Sequence, residues 1–174
     1  MSTHTLTDEE LFCLEGCRTQ EQYDRMRKNF EQCDCTFCNL DREFNHVLHE
    51  DPYLYAWEVP ESIRRKQGLL VQVIIAPKRH VRAPWELSPD ENEALFNAMK
   101  RVNATFDLSG GMISARFGDM RLNAGTVPHL HYNFWVPDGT KEVRVPIFKD
   151  PADRAENQKR AAEFAARYEA SEQP

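Results

Sequence analysis

Apolar positions along the chain recur first at helical spacing and then at strand spacing. Tyr23, Met26 and Phe30 share one face of a segment opened by Thr19-Gln-Glu-Gln22, a capping box, which predicts a helix over 20–31. Thr7-Asp-Glu-Glu10 is a second capping box and predicts a helix over 7–15, with Gly16 at its stop. Tyr53 to Val59 (YLYAWEV) and Leu69 to Ala76 (LLVQVIIA) are short, rich in β-branched and aromatic residues and bounded by proline, glycine or charge. Both are predicted strands, joined by a polar connection from Pro60 to Gln67. Ser88-Pro-Asp-Glu91 starts a helix: an N-cap, proline in the first turn and acids at the positive end of the dipole. Its stripe is Leu95, Met99, Val102 and Phe106, ended by Gly110-Gly111. Strands are predicted at about 112–117 and from His129 to Val136, and the turn Asp138-Gly139 leads to another from Glu142 to Phe148. Asp150-Pro151 opens an alanine-rich helix to about Tyr168.

One helix among several neighbouring strands predicts an α+β fold with a largely antiparallel sheet. Residues 1–32 read as an N-terminal helical extension, 33–150 as the main domain and 151–174 as a C-terminal helix and tail. At 174 residues the chain is long enough for one domain with a full core. Its net charge of -6 argues against duplex nucleic acid as a partner, while leaving room for a local basic pocket. The longest apolar run, Gly68 to Ala76, contains Gln72 and is too short to cross a bilayer. The N-terminus is polar and acidic, unlike a secretory signal, so the expected compartment is the cytoplasm. Five cysteines, three of them at 33, 35 and 38, then read as metal ligands or free thiols rather than disulfides.

The chemistry concentrates between Asn123 and Pro137 (NAGTVPHLHYNFWVP). Strand alternation points His129, His131 and Asn133 one way and Leu130, Tyr132, Phe134 and Val136 the other, toward a core. The small-residue loop Ala124-Gly125-Thr126 offers backbone donors to an oxyanion just ahead of the two imidazoles.

At these residues the chain resembles the histidine-triad (HIT) superfamily, whose signature is His-φ-His-φ-His-φ-φ with φ apolar; here it reads His129-Leu-His131-Tyr-Asn133-Phe-Trp135. Val73-Ile-Ile-Ala-Pro-Lys-Arg-His80 looks like the family's strand ending in Pro-Lys-x-His. Glu50-Asp-Pro-Tyr-Leu-Tyr-Ala-Trp57 is similar to its Glu-Asp…Ala-aromatic strand, and Cys35-Thr-Phe-Cys38 to its zinc-bearing N-terminal segment. The four segments come in the family's order. The resemblance implies a HIT-like antiparallel sheet of about five strands, with flanking helices and pairing into a homodimer. It also implies a nucleotide substrate. His131 would be the nucleophile, attacking the α-phosphorus of a nucleotide ester, amide or anhydride and forming a nucleotidyl-histidine for water or another acceptor to resolve. Thr126 and neighbouring backbone N–H groups would bind the phosphate. Asn133 replaces the third histidine; an amide donates at any pH but carries no charge. The family's transferases have glutamine at this place, so an amide leans toward transfer to an acceptor other than water. A zinc-stabilised nucleotide-binding module with little turnover is the alternative.

Two thiolates at Cys-x-x-Cys spacing can share a tetrahedral ion with two imidazoles. The resemblance assigns a structural zinc to Cys35, Cys38, His80 and His129. From spacing alone, Cys33 is a substitute for Cys35, and His46 or His49 for His80; Cys13 and Cys17 read as core or surface thiols. Phe37 and Leu40 correspond to family positions lining the base pocket, with Trp57 facing them. The ribose acid is expected one or two places after Trp57, where Glu58 and Val59 stand. Arg116-Phe-Gly-Asp119 replaces the family's asparagine and glycine before the motif, leaving Arg116, Arg121 or Asn123 to supply the phosphate contact beside Gly125. The basic residues Arg64, Arg65, Lys66, Lys78, Arg79 and Arg82 read either as a solvated face or as an attractor of polyanions.

Overall fold

Residues 14–17, 19–32, 35–118, 120–123, 125–145 and 151–171 are described by the computed structural model, and they fall into two compact units. The larger unit is Phe37–Phe117 with His129–Val145; the smaller comprises Met1–Thr36, Gly118–Pro128 and Pro146–Pro174.

The larger unit is built on one five-stranded sheet. Its strands are β1 (His46–Glu50), β2 (Leu54–Glu58), β3 (Leu69–Pro77), β4 (Met112–Arg116) and β5 (His131–Pro137). They lie in the order β1-β2-β3-β5-β4, and every neighbouring pair is antiparallel. β3 sits at the centre and is buried on both faces, which is why its sequence runs nearly continuously apolar instead of alternating. The polar link from Pro60 to Gln67 is not open loop but a short helix, α2 (Glu61–Arg64), and a 3-10 turn closed by Gly68 at φ 80°. A side chain is strained at that φ, and a Cβ there would also lie 2.8 Å from the Lys141 side chain.

Ser88 caps helix α3 (Pro89–Phe106): its hydroxyl accepts from the Glu91 N–H while the Glu91 carboxylate accepts from the Ser88 N–H. The helix stops at Asp107, whose φ of 47° is left-handed, three residues before the Gly110-Gly111 pair expected to break it. Its buried stripe is Ala94, Leu95, Ala98 and Val102, with Met99 and Phe106 packed at the margin. The stripe meets Leu54, Ala56, Val71, Val73, Ile75 and Phe134 from the sheet. Those six share one face by alternation, and Tyr132 and Val136 of β5 pack beside them as the core side of that strand.

Three expectations change. His46–Glu50 forms an edge strand where none was predicted. Glu142–Val145 is not strand, and among the described residues no strand pairs with it; Pro146 to Phe148, the rest of that prediction, lie outside the described residues. Most of the 7–15 helix also lies outside them, and its described end is a 3-10 turn, Leu14–Gly16.

In the smaller unit, Thr19 caps α1 (Gln20–Glu31) as the sequence predicts. Tyr23 and Met26 are buried, and Tyr23 packs against Phe164 of the terminal helix, at 5.9 Å between ring centres. Tyr168 donates to Glu31. A further short helix covers Met120–Asn123. With the terminal helix, Pro151–Ser171, these are α4 and α5. Gly16 has a role beyond stopping a helix: a Cβ there would fall 2.5 Å from the Gly125 carbonyl oxygen and 2.8 Å from the Thr126 methyl. Among the described residues no helix is long and apolar enough to cross a membrane.

Candidate active site and metal centre

Strand pairing assembles the side of the sheet away from α3. Cα partners on neighbouring antiparallel strands project to the same face. Trp57, Ile74, Asn133 and Ser114 therefore form one row across β2, β3, β5 and β4. Arg116 and His131 are partners in a second row. In a third, Gln72 and Met112 flank Trp135, whose indole N–H donates to Ser114 Oγ at 2.7 Å in the row beside it. The strand expected from His129 begins at His131, so His129 precedes the sheet; it is 2% exposed. The polar members His131, Asn133 and Gln72 are only 9%, 4% and 6% exposed. The face that alternation assigns to polar residues is thus interior, where polar groups require partners.

The two histidines are held by different bonds. His131 Nδ1 lies 2.9 Å from the His129 backbone carbonyl oxygen. A carbonyl only accepts, so Nδ1 carries a proton, and in the neutral ring Nε2 is the basic nitrogen. His129 is reversed: its Nε2 donates to the Pro77 carbonyl at 2.9 Å, which leaves Nδ1 as the open donor atom. That Nδ1 lies 3.6 Å from Cys38 Sγ, and His80 Nδ1 lies 3.4 Å from the same sulfur. A backbone bond from the Leu130 N–H to the Val81 carbonyl, at 2.7 Å, aligns the two segments that carry these histidines.

Cys35, Cys38, His80 and His129 form one group, with a ligand atom of each within 4.8 Å of every other. Cys35 and His129 are buried, Cys38 and His80 half-buried. Two thiols and two imidazoles are the donor set of a structural zinc. The spacing agrees as well: Zn–S near 2.3 Å and Zn–N near 2.0–2.1 Å at a tetrahedral angle put sulfur and nitrogen about 3.6 Å apart. His80 Nε2, buried without a hydrogen-bond partner, is the one loose end. The alternatives left open by spacing separate here: His46 faces Glu58 at 3.6 Å and His49 faces Asp51 at 3.3 Å, while Cys33 and Cys13 lie outside the described residues. Cys17 is a buried thiol of the smaller unit and forms no disulfide.

Phe37 stands edge-on to His131 at 4.9 Å between ring centres, and lies 5.3 Å from Trp57 and 5.8 Å from His129. Phe37, Leu40 and Trp57 are all buried. Glu58 does not join them. It follows Leu54 and Ala56 on the α3 side of β2 and pairs with Arg64 at 3.1 Å. Val59, next in line, continues the face of Trp57 but has no polar atom to offer. In the smaller unit, Asn123 Oδ1 accepts from the Gly125 N–H at 2.8 Å, Gly125 is buried and Thr126 half-buried. Ala124 and Asp119 lie outside the described residues, as does the side chain of Arg121.

Several of the basic residues near β3 are engaged within the fold. Arg79 makes a bidentate pair with Glu91, and Lys78 and Arg42 share Glu50 beneath the Tyr55 ring. Two cations hold the Glu50 carboxyl down to about 2, the Arg42 hydrogen bond contributing most. A small cavity lined by Tyr53, Leu54, Pro77, Leu87, Glu91, Leu95 and Tyr132 lies on the α3 side, not beside His131.

No family model and no curated protein matches the chain. Solved structures do. A HIT family hydrolase from Clostridium thermocellum is 24% identical, with 63% of this chain and 96% of that one covered at a TM-score of 0.46. A HIT family hydrolase from Legionella pneumophila is 21% identical, covering 65% and 98% at a TM-score of 0.46. The chain is similar to histidine-triad proteins. A Zn-bound histidine triad family protein from Mycobacterium smegmatis is 20% identical over 72% of this chain and 87% of that one, at a TM-score of 0.39. At these values the histidine-triad likeness says nothing of substrate or reaction, and both rest on the residues described above.

Proposed function

We propose that the protein is a nucleotidyl hydrolase or transferase whose nucleophile is His131. The observation that carries this reading is the division of labour between two histidines one residue apart. One is turned by Pro77 toward the thiols, and the other holds Nδ1 on a backbone carbonyl, which makes Nε2 the basic nitrogen of its neutral ring. Each arrangement suits its role: a ligand imidazole donates through one nitrogen and offers the other to the metal, and a nucleophile attacks only through an unprotonated nitrogen.

In this reading Nε2 forms a bond to the α-phosphorus of a bound nucleotide ester, amide or anhydride. The bond from phosphorus to the leaving group breaks with its electron pair, and the leaving group takes up a proton from solvent. Water or another acceptor then attacks the same phosphorus and gives up its proton as the phosphorus–nitrogen bond breaks, restoring the ring. Throughout, Nδ1–H stays on the His129 carbonyl, so the ring neither turns nor changes tautomer. Thr126, Asn123, Gly125 and the Asn133 amide are assigned to the phosphate, and Phe37, Leu40 and Trp57 to the base. Base stacking on such rings contributes about 1–3 kcal/mol. Cys35, Cys38, His80 and His129 would hold a zinc ion as a closed four-donor site, which would tie His129, two residues ahead of His131, to two other segments.

The test is a covalent trap. Incubation with α-labelled nucleoside phosphoramidates, dinucleoside polyphosphates and nucleotide sugars, followed by isolation of acid-sensitive label, is expected to give an adduct in the wild type. His49→Ala should retain it. His131→Ala should lose it, with turnover lower by about a thousandfold or more. Label that survives in His131→Ala refutes the assignment. Buried Asn133 and the outward turn of Glu58 favour a second reading, a zinc-stabilised binding module with little turnover. Tight nucleotide binding without any adduct would select it.

A further inference from the structure

The family position that carries a third imidazole holds an amide here, so the nucleophile's own strand, His131–Pro137, has no lysine or arginine to offer a phosphoryl group. The neighbouring strand does. Arg116, the last residue of β4, is the Cα partner of His131, just as Ser114 is the partner of Asn133. Partners on antiparallel strands share a face with Cβ atoms about 5 Å apart. A guanidinium on a three-carbon stem is long enough to reach the space in front of the imidazole, and Arg116 is half-buried, with its Nε enclosed. Of the residues left open for the phosphate contact, Arg116 is one that the strand register itself brings beside the nucleophile. The Asn123 carbonyl oxygen is turned to the Gly125 N–H.

We propose that Arg116 is the phosphate-binding cation of this site, replacing from the adjacent strand the charge that Asn133 lacks. The inference rests on the reading of His131 as nucleophile and deepens it. Arginine is always protonated and presents a planar fork of donors suited to two phosphate oxygens, whereas asparagine offers one neutral amide. Recognition of the phosphoryl group is then independent of pH across the physiological range. The preferred substrates are those whose transferred group keeps its negative charge.

Binding distinguishes this role from a structural one. Calorimetric titration of the wild type with the common nucleosides and their 5′-monophosphates should show the monophosphates bound more tightly. In Arg116→Met the monophosphate advantage should fall by roughly tenfold or more, the loss expected of one charge-assisted contact, while nucleoside affinity stays the same. Arg116→Lys should keep most of the advantage by keeping the charge. An Arg116→Met protein that retains the full advantage overturns the proposal. So does one that loses nucleoside and monophosphate affinity alike, since that marks a structural defect. A wild type that labels at His131 alongside an unaffected Arg116→Met removes only the Arg116 inference. A wild type that neither binds nucleotides nor labels removes the functional reading with it.

Discussion

On the side facing α3 the sheet presents Leu54, Ala56, Val71, Val73, Ile75 and Phe134, closed by Ala94, Leu95, Ala98 and Val102 of the helix. On the other side β3 turns in Gln72, β5 turns in His131 and Asn133, and β4 turns in Ser114 and Arg116. The first surface is held by area alone, at about 25 cal/mol per Å² of apolar surface removed from water, and any side chains of similar volume satisfy it. The second keeps polar atoms in the interior, and each must find a partner of fixed direction or be costly. The difference teaches where identity matters. Exchange of one aliphatic residue for another is tolerated on the helix side; on the histidine side even histidine at 129 and histidine at 131 are not equivalent, since their ring nitrogens are committed in opposite senses.

Three substitutions bear on that contrast, beginning with the largest effect. Cys38→Ser removes the thiol nearest both ligand histidines. It is expected to abolish an otherwise stoichiometric zinc content and to lower stability by several kcal/mol, read by metal analysis and thermal unfolding. A metal-free protein of unchanged melting temperature would erase the distinction between the two surfaces. Ile75→Ala opens a cavity at a fully buried position and should cost about 2–4 kcal/mol in denaturant titration. Zinc content and label at His131 should not change, because nothing directional is lost; loss of either would show that the two sides are coupled. Glu91→Gln is the finest probe, a single buried carboxylate beneath an otherwise apolar helix face. The Arg79 hydrogen bond first, and the Ser88 N–H next among the favourable contacts, hold its carboxyl below the ordinary 4.5. A lowered folded pKa stabilises the fold above the unfolded value and is lost as pH falls below about 4.5 and through the lowered one. The variant should therefore be weaker by about 1 kcal/mol at neutral pH, and the gap should close in acid. Equal stability of the two proteins at neutral pH would contradict this.

Much of this arrangement is written locally in the chain. Helix starts at Thr19 and Ser88 were legible because a capping box is satisfied within four residues, and both helices begin where it places them. β2, β3 and β5 were legible from their apolar content. β1 was not: His46-Val-Leu-His-Glu50 is a half-exposed edge strand with one solvated side, so its composition resembles a loop. The metal donors, spread from position 35 to position 129, were reached through motif resemblance, and the structure brings the same four together. The burial of the histidine face was invisible to alternation, which distinguishes two sides but not what covers them. Least legible was the partnership of Arg116 with His131. It depends on the register of β4 against β5, set by how the residues between the two strands turn, and no local pattern encodes that offset.

The contacts of Cys38 also bear on the order of assembly. Its two imidazole partners lie 42 and 91 residues further along the chain. Entropy of ring closure grows only logarithmically, so roughly doubling the span adds about 0.6 kcal/mol. Neither histidine is thus much favoured by its closeness in sequence to the sulfur; it is the pairing of β3 with β5 that sets side by side the segments carrying both imidazoles.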